Sequence, residues 1–97
     1  MAKYELSKKA KSDVEDIADY TIENWGIKQS KEYLVGLYEC FEILLDNQSI
    51  GRDASEFSSG LHKFTFKSHI IFYQSEGNDI LIVRILHHSR DYLSHLP

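Results

Sequence analysis

At 97 residues and 11.3 kDa the chain has room for one domain spanning 1–97, since most domains run to about 100–150 residues. It is 42% hydrophobic and 27% charged, with one proline and five glycines, which excludes a disordered or fibrous chain and fits a single globular core. Its formal charge of −4 and pI of about 5.7 leave no basic surplus for binding DNA or RNA by phosphate neutralisation.

The acidic excess sits in the first half. Residues 1–50 hold 6 Lys/Arg against 10 Asp/Glu, and residues 51–97 hold 5 against 5. The opening Ala2 to Leu6 is a candidate edge strand. From Ser7 to Trp25, Ala10, Val14, Ile17, Thr21 and Trp25 recur at spacings of 4, 3, 4 and 4, one stripe of a helix with Ser7 as its N-cap and Gly26 as its stop. Asp13, Glu15, Asp16, Asp19 and Glu23 are expected to face mostly outward. A second helix is expected from Lys28 to Asp46. Its wide apolar stripe (Tyr33, Leu34, Leu37, Tyr38, Phe41, Leu44, Leu45) suits a helix packed on a sheet. The short link between the two implies an antiparallel helical hairpin.

Beyond Gly60 the period falls to two. His62, Phe64 and Phe66 share one face; Leu61, Lys63, Thr65 and Lys67 share the other. Ser68-His69 leaves room only for a tight hairpin before Ile70 to Tyr73. Gly77-Asn78-Asp79 marks the next turn. Ile80 to Leu86, apolar on both faces save Arg84, reads as a central strand. Residues 89–97 form a tail or short terminal helix carrying Tyr92 and Leu93. The fold class is α+β: an N-terminal strand and an antiparallel helical hairpin packed on a small, mainly antiparallel sheet.

No run approaches the roughly 18 apolar residues of a spanning helix, and the N-terminus shows no apolar signal segment. Cys40 is alone, which removes a disulfide framework and a cysteine-based zinc site and points to a reducing cytoplasm. His62, His69, His87, His88 and His95 give no metal-ligand spacing, because adjacent His87 and His88 on a strand end point to opposite sides. No metal or cofactor is expected. Arg84, with His87 or His62 as base, Lys63 as a second cation and Tyr73 nearby, has the residue types of a metal-independent ribonuclease. The plainer reading pairs Arg84 with an acid such as Asp91, since an unpaired arginine in an apolar strand is costly. Lys63 and Lys67 read as edge charges against aggregation. Lys8, Lys9 and Lys11 read as a solvated cluster at the first helix start. Cys40 reads as a small buried hydrophobe.

The string Ile82-Val83-Arg84-Ile85-Leu86-His87-His88-Ser89-Arg90-Asp91 resembles the closing strand of ParE-type toxins, with pattern I-x-R-V-L-H-x-x-R-D. Trp25-Gly26, Gly51-Arg52, Gly60-Leu61 and Ile71-Phe72-Tyr73 stand where that family carries its W-G, G-R, G-L-R and I-F-Y elements. The chain departs from the family by placing His62 and Gln74 where arginine is common. The resemblance implies a RelE/ParE-like fold and a toxin of a type II toxin-antitoxin system that poisons DNA gyrase, with the A subunit the expected target. It implies no catalysis, no sequence-specific nucleic-acid binding and no membrane. Arg84, His87, Asp91 and Tyr73 then carry toxicity. A cognate ParD-like antitoxin then wraps the helical hairpin and sheet, with Tyr33, Leu37, Tyr38, Phe64 and Phe66 as its contacts. The RelE branch of the superfamily is the alternative: a ribosome-dependent endoribonuclease that cuts messenger RNA.

Overall fold

The change of hydrophobic period near residue 60 marks where helices give way to strands in the computed structural model, which describes residues 1–89 and residue 96. The elements run β1 (Tyr4–Leu6), α1 (Lys8–Trp25), α2 (Ile27–Asp46), a 3₁₀ turn (Gln48–Ile50), β2 (Arg52–Asp53), β3 (Leu61–Phe66), β4 (His69–Glu76) and β5 (Asp79–His87). They build one five-stranded sheet in the order β1-β5-β4-β3-β2. β1 joins β5 in parallel, and every other pairing is antiparallel. The α+β architecture matches the sequence reading, with β1 at an edge and β5 inside the sheet. The two-residue β2 has no counterpart in that reading, being too short to show a period.

Local chemistry sets the helix ends. The Ser7 hydroxyl accepts from the Ala10 amide at 3.0 Å and caps α1. Gly26, at φ +88°, closes α1 and opens α2 without a break. That left-handed backbone favours glycine, so the turn between the helices needs only one residue.

Two apolar layers form on the two sheet faces. Ala10 and Ile17 of α1 and Leu37, Phe41 and Leu44 of α2 pack on Ile71, Tyr73, Ile80, Ile82 and Ile85. Phe64 and Phe66 join this layer, as the alternation in β3 requires. On the other face Ala54, Leu61, Phe72 and Leu86 form a smaller cluster, with Phe57 and Leu96 against it. Cys40 is buried, and burial pushes its thiol pKa up.

The β4–β5 ladder is irregular at one point. Phe72 pairs with Arg84 but Tyr73 pairs with Ile82, which leaves Val83 as the extra residue of a β-bulge. Beyond Ile82 the short β1 has ended, so β5 has no strand on that side. Ser7 takes over there: its amide donates to the Ile82 carbonyl at 2.9 Å and its hydroxyl to the Val83 carbonyl at 2.7 Å.

Candidate functional site

Past Ser7 along the exposed flank of β5, α1 supplies Asp13. One carboxylate oxygen accepts from Arg84 Nε at 2.8 Å and from the Ile85 amide at 3.0 Å; the other accepts from Arg84 Nη2 at 2.8 Å. The carboxylate therefore grips the guanidinium in bidentate fashion and also satisfies a strand-edge N–H. The hydrogen bond to Asp13 raises the Arg84 pKa further. The expectation that Asp13 faces outward is thus corrected: it is buried. Its position carried the signal, three residues after Ala10 and four before Ile17, on the buried stripe itself. Trp25, expected on that stripe, is exposed. Among the described residues Asp13 is the acid that meets Arg84; Asp91 lies outside them.

Next to this pair stand three histidines. His69 pairs with His87 across β4 and β5, with ring centroids 5.5 Å apart. The His88 ring stacks on His87 at 4.4 Å. This corrects the expectation that His87 and His88 point apart: β5 ends at His87, and strand alternation no longer governs the next residue. His69 is buried, and its Nδ1 lies 2.6 Å from the Tyr33 hydroxyl. A backbone hydrogen bond from Ser68 already engages that oxygen, so the O–H is directed at the imidazole. Burial, followed by the neighbouring His87 and His88, lowers the His69 pKa from 6.5 to about 4. Asp13, Asp16, Ile17, Tyr20, His69 and His87 line a cavity of about 420 Å³ beside the cluster. Among the described residues no group of three or more His, Cys, Asp or Glu is placed to hold a metal ion.

The sheet divides the set Arg84, His87, His62, Lys63 and Tyr73. Lys63, Phe72 and Arg84 form one row across three strands. Phe72 belongs to the smaller apolar cluster, and Lys63 Nζ lies 6.0 Å from the Phe57 ring beside it. His62 instead pairs and stacks with Tyr73, and His87 with His69, on the helix-covered face. Tyr73 is fully buried: its hydroxyl donates to the Gln48 carbonyl at 2.8 Å and accepts from the Gly51 amide at 3.0 Å. It shapes the core and offers no surface to a target. Lys67 does not share a strand face with Lys63 as expected. It occupies the β3–β4 turn at φ +50°, with Nζ 5.5 Å from both the Tyr33 and Phe66 rings.

The residues expected to meet an antitoxin also separate. Leu37 and Tyr33 are buried, while Phe64 and Phe66 are half-buried against the core. Tyr38 is exposed and lines an apolar groove with Tyr4, Leu34 and Val35. Sequence reasoning missed Val35 because it falls outside the α2 stripe that packs on the sheet.

Residues 4–92 match the model of the ParE toxin of type II toxin-antitoxin systems, parDE. The chain is 31% identical to Toxin ParE1 of Caulobacter vibrioides, over 99% of both chains. It is 34% identical to Toxin ParE1 of Mycobacterium tuberculosis, over 93% of each. A solved structure described as a chromosomal ParDE TA system from P. aeruginosa superimposes with a TM-score of 0.74 at 22% identity, covering 90% of this chain and 95% of its own. No helix among the described residues is long and apolar enough to cross a membrane. The matches run from β1 through the closing strand and its Arg84 string, and the chain belongs to the ParE toxin family of type II toxin-antitoxin systems.

Proposed function

We propose that this toxin acts without catalysis, by binding DNA gyrase through its A subunit and holding the enzyme in its DNA-cleaved state, and that a cognate ParD-like antitoxin neutralises it. The observation that carries the non-enzymatic reading is the partition of the sheet. A phosphodiester-cleaving site must bring a base, an acid and a cation to one phosphate. Here Tyr73 is enclosed in the core, His62 and His87 share its face, and Lys63 and Arg84 stand in a row on the other. Arg84 is further committed to Asp13. Gyrase contact falls to the end of β5 and the segment after it, where His87 is half-buried and Asp91 follows. Arg84 and Tyr73 support that surface from beneath.

For the antitoxin, the groove at Tyr4, Leu34, Val35 and Tyr38 offers apolar surface beside the free edge of β1. An amphipathic helix or extended segment fits such a place. The deciding experiment mixes the purified chain with gyrase and supercoiled plasmid. Accumulation of cleaved DNA, suppressed by antitoxin, is the expected result. Absence of cleaved DNA at saturating toxin, together with codon-positioned cuts in message on translating ribosomes, would establish the ribonuclease instead.

A further inference from the structure

The outward face of α2 is symmetric about its own middle. Its groove residues Lys31, Leu34, Val35, Tyr38, Glu39 and Glu42 fall in mirror pairs about the point between Gly36 and Leu37: Val35 with Tyr38, Leu34 with Glu39, Lys31 with Glu42. Val35 and Tyr38 at the centre are 57% and 39% exposed, unusually bare for large apolar side chains adjacent on one helix face. The charged pair at the flanks is of opposite sign.

We infer that this face is a self-complementary interface, on which a second copy of the chain docks α2 against α2, antiparallel, about a twofold axis between Gly36 and Leu37. A twofold contact sets each residue against its mirror position on the partner. Val35 of each copy then meets Tyr38 of the other, and Lys31 meets Glu42 at both ends. Lys31 and Glu42 lie about 8 Å along the helix from the axis, at 1.5 Å per residue. Helices crossing at about 20° have diverged by only about 3 Å at that point, so lysine and glutamate side chains span the gap. Any other register sets Lys31 against an uncharged or like-charged position: one turn towards the C-terminus brings it to Asp46 but moves Val35 from Tyr38 to Glu42. Only the central register satisfies apolar and charged pairs together. The self-contact holds whether or not an antitoxin also uses the groove.

Sedimentation of the isolated chain tests it, from low micromolar to several hundred micromolar. The expected result is a reversible monomer–dimer equilibrium. Lys31→Glu alone, or Glu42→Lys alone, sets like charges together at both ends and weakens the dimer roughly tenfold to hundredfold. The double variant Lys31→Glu/Glu42→Lys restores wild-type association, and the rescue shrinks as salt is raised. Both positions are exposed, and matching thermal melts show that the variants fold. A chain that stays monomeric throughout overturns the inference, including one whose groove binds only antitoxin. A dimer indifferent to the single reversals, or one that the double variant fails to restore, overturns it equally.

Discussion

Arg84 is a permanent cation within an otherwise apolar strand, and Asp13 is what makes it tolerable. Each has little exposed side chain, 12% and 10%, so removing one leaves the other desolvated and unpaired. Arg84→Ala should cost about 2–4 kcal/mol in urea unfolding. Asp13→Ala should cost as much, because it also orphans the Ile85 amide. The double variant should lose less than the sum of the two, the mark of direct coupling. Any fall in toxicity of Arg84→Ala should then track its fall in stability. His69 makes a second residue-scale case. Its native pKa of about 4 lies below the ordinary 6.5, so the unfolded chain takes up a proton before the native one does. Stability should hold above pH 6.5 and decline as pH falls towards 4, by about 3 kcal/mol in all. His69→Gln keeps an acceptor for Tyr33 and should flatten that slope.

Between residue and molecule, the elements are fixed by unusual contacts at their ends. The segment after α2 is held by the Tyr73 hydroxyl, which reaches both Gln48 and Gly51. A Cβ on Gly51 would land on that hydroxyl, with two further ring carbons of Tyr73 within 3 Å. Its φ of −72° is ordinary, so glycine stands there for space and not for backbone freedom. Gly51→Ala should cost about 1–3 kcal/mol by overpacking, and Gly51→Ala with Tyr73→Phe should recover part of it; thermal melts of the single and double variants check this. Such end contacts are the part of the fold least legible in the sequence. Both helices, the β3–β4 hairpin and the interior place of β5 follow from periodicity, because each buries one face over many residues. β2 spans two residues, and the Val83 bulge has no period to announce it. The Asp13–Arg84 pair joins residues 71 apart. Sequence shows that Arg84 needs an acid but not which one the bulge will bring to it. Tyr73 and Leu37 pass for contact residues by resemblance, although their apolar spacing already places them inside.

On the scale of the whole molecule, β1 and β5 bring residues 4–6 beside residues 80–82, and β5 lies between β1 and β4. The strand made after all the other described elements is therefore flanked by partners made long before it. Without it, β1 has no hydrogen-bonded neighbour, β4 keeps only β3, and the helix layer loses Ile80, Ile82 and Ile85. A chain cut before Asp79 should show no cooperative melt by circular dichroism. During synthesis, domains take shape as units while the chain emerges, yet this one has no finished sheet to form until its closing strand is out. Prematurely terminated products would then be unfolded fragments with no assembled surface to poison anything, and a cell translating this message would meet the active protein only as complete copies.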